Sequence, residues 1–211
     1  MQEEFSRHIT TLVEKGYPEA AGLSSDDFRT LIEPLRARLP EMTDYPVDYE
    51  RGTLPFVIVV TRELVPVAET FPRVERNGKR GVEKLFPRVP DDFATIPSVR
   101  IPGGTAYLLV DIDRGQDTLN VTPEEAMKHI LAEGRSPLTL EEGIAVVTHY
   151  PDFLMKNNCF SLLASRTGKD QRVPAIWING KNHPNLGWCW DRNPHTWLGS
   201  ASCGRRLGVS G

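Results

Sequence analysis

The stretch TPEEAMKHILAEGRSPLTLEEGIAVVTHY, residues 122 to 150, decides the fold class. Thr122-Pro123-Glu124-Glu125 has the form of a capping box with proline at the first helical position. It opens a helix carrying Ala126, Met127, Ile130 and Leu131, stopped near Gly134. Thr139-Leu140-Glu141-Glu142 repeats the signal for a helix with Leu140, Ile144 and Val147 that ends before Pro151. Two helices in succession, joined by RSPL, predict a helical hairpin. That breaks the strict strand–helix alternation of a doubly wound sheet, so the expected class is α+β with a mixed or antiparallel sheet. The length suits a single domain over 1–211, with a helical segment over 1–40 and an α+β core over 54–211.

Upstream, Phe5, Ile9, Leu12 and Val13 recur at helical spacing up to Gly16. Ser25 reads as the cap of a second helix with a stripe of Phe28, Leu31, Ile32, Leu35 and Leu39, kinked or broken at Pro34 and ended by Pro40. LPFVIVVT (54–61) and TAYLLVDID (105–113) are short runs rich in β-branched or apolar residues and read as strands. Between them, 62–104 holds six prolines and no sustained period, which predicts extended covering loop, with NGKRG (77–81) as a hairpin turn. CFSLLASR (159–166) and RVPAIWIN (172–179) read as an antiparallel hairpin, the second strand placed at an edge or bulge by Pro174.

Composition excludes several classes. Apolar content is 39%, charged content 25% and net charge −3, with signs interspersed. That gives no electrostatic case for nucleic acid or an anionic membrane, and Arg205-Arg206 is too short a basic cluster to change it. No run of about 18 apolar residues predicts a membrane-spanning helix. The amphipathic N-terminus lacks the apolar region of a secretory signal, and three cysteines cannot all pair, so a reducing cytoplasm is the expected location.

All four tryptophans lie between Trp177 and Trp197, and GWCWDRNPHTWLGSASCGRR (187–206) concentrates the chemistry. Trp188 and Trp190 alternate around Cys189, so in a strand both rings share one face, as core wall or ligand platform. Asn193-Pro194 looks like the start of a short helix over 194–203, which places His195 in its first turn, neutral and able to act as a base, with Asp191 to orient it. Arg192 and Asn193 add polar groups to this ligand surface. Cys203 or Cys189 is a nucleophile only with a lowered pKa, and otherwise a buried small hydrophobe. His183, Cys189, His195 and Cys203 are separated by five, five and seven residues, without the close pairs of a structural zinc site, so no metal is expected. Asp111 and Asp113 at a strand end suit a cation or a solvated turn, His149 sits where a helix C-terminus favours a cation, and Arg166 and Arg172 flank a turn.

GRSPLTLEEGIAVVTHYPDFL, RVPAIWI and LGWCWDRNPHTWLGSASCGRR resemble a family of uncharacterised actinobacterial proteins, classed as a domain of unknown function. LVEKGYPEAAGLSSDDF and YLLVDIDRGQDTLNVTPEEA look like its other blocks. The resemblance covers most of the chain and implies a bacterial cytosolic protein, but carries no catalytic residue or cofactor with it.

Phosphate-binding glycine loops, serine elbows and HExxH or CxxC motifs are absent from the sequence, so no cofactor is expected. The leading expectation is an enzyme doing acid–base chemistry on a small organic molecule, with His195, Asp191 and Cys203 as catalytic groups and Trp188, Trp190, Trp197, Arg192 and Asn193 as the binding surface. The alternatives are a non-catalytic protein that binds a small molecule or a protein through the same surface, and tryptophans that only fill core.

Overall fold

The computed structural model describes residues 1–168 and 170–209. The N-terminal helices are α1 (Gln2–Glu14), α2 (Tyr17–Ala20) and α3 (Ser25–Ile32). The cap of α3 is Ser24, one residue before the expected Ser25; its hydroxyl accepts from the Asp27 amide at 3.1 Å. α-Helix stops at Ile32 and continues as 3-10 turns over Glu33–Glu41, because Pro34 has no amide to donate. Next come β1 (Thr53–Val60), α4 (Val67–Thr70), β2 (Glu75–Arg76), β3 (Lys79–Arg80), β4 (Val82–Glu83), β5 (Ala94–Thr95) and β6 (Ala106–Asp113). The second half is α5 (Pro123–Ala132), β7 (Ser136–Pro137), α6 (Leu140–His149), β8 (Cys159–Ser161), β9 (Ser165–Arg166), β10 (Arg172–Ile178), β11 (Pro184–Trp190), β12 (Leu198–Ser200) and β13 (Ser202–Leu207).

Two larger sheets organise these pieces into an α+β domain. One has the order β1-β6-β13-β7 and is antiparallel throughout. The other has the order β12-β8-β10-β11-β4 and is mixed, since β12 runs parallel to β8 and β4 parallel to β11. The first sheet is buried on both faces. Phe56, Ile58, Val60 and Leu108 pack on Phe5, Ile9, Phe28 and Ile32 of the N-terminal helices. Val57, Val59, Tyr107 and Leu109 face the other way, into a core shared with α6 and the second sheet. This burial on both sides explains the near-continuous apolar run of β1. Among the described residues no helix is long and apolar enough to cross a membrane.

Both helix starts are where the sequence puts them. The Thr139–Glu142 box is reciprocal, and the Thr122 hydroxyl accepts from the Glu125 amide. The helical hairpin is not formed. β7 lies between α5 and α6 and pairs with β13, which draws the connection into the sheet. Nor is there a helix over 194–203. Leu198–Ser200 extends one sheet and Ser202–Leu207 fills the middle of the other, so strand pairing overrides the local Asn-Pro signal. β10 is interior to its sheet, not an edge; its pairing with β8 begins at Ala175, just past Pro174. The expected 159–166/172–179 hairpin is realised only in part, because β9 leaves β10 and pairs with β5. The NG turn does form, with Asn77 and Gly78 both at positive φ, and joins β2 to β3, while Val82–Glu83 joins the five-stranded sheet.

The turn after β6 is not solvated. Arg114 is fully buried and donates to the carbonyls of Phe153 at 2.8 Å and Tyr49 at 2.9 Å. Gly115, at φ 84°, crosses β12 so closely that a Cβ there would lie 2.2 Å from the Ser200 carbonyl oxygen. Asp111 sits within β6 at φ 56°, held by Tyr45 and Arg135, whose contacts to its carboxylate are 3.1 and 2.7 Å. Asp113 instead accepts from the Gly115 amide, so the two acids have separate structural partners.

Candidate functional site

The tail does not assemble into one pocket. In β11, Trp188 and Trp190 share a face and Cys189 takes the other, as strand alternation demands. The two indoles meet edge to face at 5.0 Å. Arg172, the register partner of Trp190, lies over both rings at 4.4 and 4.9 Å and pairs with Asp170, which also holds Arg88. The Trp188 Nε1–H donates to the Leu85 and Phe86 carbonyls at 3.1 and 3.2 Å. Trp188 is thus tied into the fold, and Trp190 is left 44% exposed.

Trp177 stands on the opposite face of the same sheet. It pairs in register with Asn185, and its ring lies across Gly187, where a Cβ would come within 2.3 Å of it. Trp197 meets Trp177 edge to face at 6.1 Å. His195 lies 5.1 Å from the Trp197 ring, and burial lowers its pKa, leaving a neutral imidazole at pH 7. The polar neighbour of that ring is the Asn193 amide, at 3.5 Å, and no hydrogen bond joins Asp191 to it among the described residues. The Asp191 backbone bridges Gln171 and Glu124, and its buried Oδ1 has no hydrogen-bond partner among the described residues. Arg192 is exposed and pairs with Glu124. Cys203 belongs to the other sheet and is fully buried; burial and nearby Glu142 push its thiol up to about 12, so it is protonated at neutral pH. Burial also raises Cys189 and Cys159. His149 is not a helix-end cation, since burial drives it neutral.

A more enclosed site lies where β1, β6 and α6 converge. A cleft of about 330 Å³ is lined by Thr61, Arg62 and Glu63 after β1, Thr95 of β5, Ile101–Gly104, Tyr107 of β6, and Thr139 and Glu141 at the start of α6. The capping box sets the start of α6 and so places Thr139 and Glu141 in its wall. Glu142 serves the box: its amide donates to the Thr139 hydroxyl and its carboxylate accepts from the Thr139 amide at 2.7 Å, so its neighbour Glu141 is not used by the box. One Glu141 oxygen accepts from Arg62 Nε, while Arg62 Nη2 donates to the Phe93 carbonyl at 2.9 Å. The other, Oε2, is buried and has no partner among the described residues. Glu141 also borders a space of about 10 Å³ beside Tyr17 and Thr70, too small for anything larger than about one water.

Beneath the cleft is a saturated network. Glu142 is fully buried and accepts from the Tyr107 hydroxyl at 2.8 Å and from Arg206 on both oxygens. Arg206 also donates to the Ser136 hydroxyl and Pro137 carbonyl, at 2.7 and 2.8 Å. Burial by itself would lower the Arg206 pKa, but Glu142 outweighs it and holds the guanidinium charged. Burial and Glu142 together raise the Tyr107 hydroxyl well above its usual value, so it remains a donor. None of Arg62, Tyr107, Glu141 or Arg206 stands out as a site residue in the sequence. The one available signal was a capping box with two adjacent acids, of which the box uses only one.

The molecule is thus an α+β protein with a half-satisfied ion pair, Arg62–Glu141, in the lining of a small cleft. It belongs to the family of unknown function DUF5701, whose model matches residues 11–209. No curated protein and no solved structure matches it.

Proposed function

We propose that this protein binds a small organic molecule in the cleft between β1, β6 and α6. The observation that carries the reading is the buried, unpartnered Oε2 of Glu141, since a buried carboxylate oxygen without a donor costs about 1–3 kcal/mol or more. That oxygen is out of solvent contact in the free protein, so a ligand meets it as the Glu141 carboxylate turns toward the cleft, and the N–H or O–H it brings then removes the cost. Arg62 lines the same cleft, so a ligand that also presents a carbonyl or carboxylate oxygen to its guanidinium fits best. Ile101, Pro102 and Ala94 supply the apolar wall that such pockets combine with a few placed polar groups. The cleft accommodates a compact, amino-acid-sized or amide-bearing molecule rather than a polymer.

A thermal-shift screen of small amides, amino acids and hydroxy acids tests this reading. Hits are expected to raise the melting temperature of the native chain and to lose that effect in Glu141→Gln and Arg62→Met. Hits unaffected by both substitutions would remove the cleft as their site.

One observation favours a second reading, an acid–base enzyme using the tail. His195 is held neutral beside Trp197, the protonation state a general base needs. Its support ends there, because Trp188, Trp190 and Cys203 are directed elsewhere and no hydrogen bond joins Asp191 to His195 among the described residues. Turnover of any substrate that disappears in His195→Gln, with the fold intact, would favour it.

A further inference from the structure

We propose that the corner formed by Trp177 and Trp197 is a second binding site, for the pyranose ring of a neutral carbohydrate. These two indoles differ from Trp188 in one decisive respect. Trp188 spends its N–H on two backbone carbonyls, whereas neither Trp177 nor Trp197 has a partner for its N–H among the described residues. The rings stand at 68° to each other, so one offers a face and the other an upright wall. Gly187 lets the Trp177 ring lie down on the sheet, which fixes the corner rather than leaving it to side-chain motion.

The groove beside them has a volume of about 350 Å³ and is lined by Asn157, Asn179 and Asn182 as well as Trp177, Trp197 and Lys156. Amides both donate and accept, which matches vicinal hydroxyls that do the same. The C–H face of a pyranose supplies the weakly positive surface that an indole face attracts. Among the described residues no carboxylate lines the groove and Lys156 is the one formally charged group, so the chemistry favours an uncharged sugar over a cation. The left-handed backbone at Asn157 and Asn182, φ 64° and 65°, accounts for asparagine at both positions by itself. Both also line the groove beside the aromatic corner, and their amides have no protein partner among the described residues. Asn179 is partly committed, since its Oδ1 accepts from the Lys181 and His183 amides.

The full chain is titrated with cellotriose, maltotriose, mannotriose and chitotriose, following tryptophan fluorescence and the indole N–H signals by NMR. At least one sugar is expected to give a saturable change that moves the Trp177 and Trp197 signals. Affinity is expected to fall by about tenfold or more in Trp197→Ala. Trp190→Ala, on the other face, and Glu141→Gln, in the cleft, are expected to leave it unchanged. If Trp197→Ala does not fold, Asn157→Gly removes an amide while keeping the backbone conformation, and it too is expected to weaken binding. The absence of a saturable change with all four sugars, or a change equally lost in Trp190→Ala, overturns the proposal.

Discussion

Glu141 and Glu142 are neighbours on one helix turn and have opposite fates. Glu142 has every oxygen occupied, by Tyr107, Arg206 and the Thr139 amide, in a region sealed from water. Glu141, which lines the cleft, has one oxygen occupied, by Arg62, and one buried without a partner among the described residues. The difference separates architecture from function. A saturated buried network fixes where three strands and a helix meet, and leaves nothing to bind. On the proposed reading, a half-satisfied one holds an interaction for a ligand to complete.

The sharpest way to break this contrast is Glu142→Ala. It leaves the Arg206 guanidinium buried without its counter-charge, and a loss of about 3–5 kcal/mol in urea unfolding is expected. A loss below about 1 kcal/mol would show that the network is not structural. The next effect is acid sensitivity at the other end of α6. His8 and His149 stack at 4.1 Å, both ring Nδ1 atoms are buried without partners among the described residues, and His149 Nε2 meets the Ile58 carbonyl. Burial lowers His8 to about 4 from 6.5. Between those values the unfolded chain holds a proton that the folded chain refuses. Stability is therefore complete above about pH 6.5 and falls as pH drops toward 4, by roughly 3 kcal/mol for His8 alone. Glu4 acts in the same direction further down: its hydrogen bonds with His8, Arg7 and Tyr150 keep its carboxyl below the usual range, so protonating it costs stability. Urea midpoints at pH 7.5 and 5 measure the effect, and equal midpoints would contradict it.

Smaller still is Gly187→Ala, which forces the Trp177 ring off the sheet at a cost of about 1–3 kcal/mol and should shift the indole N–H of Trp177. Unchanged stability and an unmoved signal would mean the corner is not fixed by that glycine. Smallest is Glu141→Gln. Because Oε2 has no partner to lose and the Gln oxygen still accepts from Arg62 Nε in place of the ion pair, stability is expected to change by about 1 kcal/mol or less, in contrast to Glu142→Ala.

The sequence disclosed what local chemistry controls. Thr122 and Thr139 start helices where they stand, β1 and β6 follow their β-branched runs, and the alternation of Trp188 and Trp190 puts both on one face. It misled where distant pairing wins. Asn193-Pro194 opens no helix because Leu198–Ser200 has a partner in β8, and RSPL makes no hairpin loop because β7 has a partner in β13. The tail looks like one aromatic surface in sequence because residues two apart in β11 are adjacent in print, while Trp177 reaches the other face of the same sheet. The cleft was illegible for the same reason: Arg62, Tyr107 and Glu141 come from three elements far apart along the chain, and none is unusual alone.

The central claim is that the bare oxygen of Glu141 marks a ligand site. Backbone NMR of the chain with the strongest thermal-shift ligand tests it most directly. The account predicts shifts concentrated at 61–63, Thr95, 101–104, Tyr107 and 139–141, and their disappearance in Glu141→Gln. Shifts centred elsewhere, or an unchanged map in that variant, would contradict it.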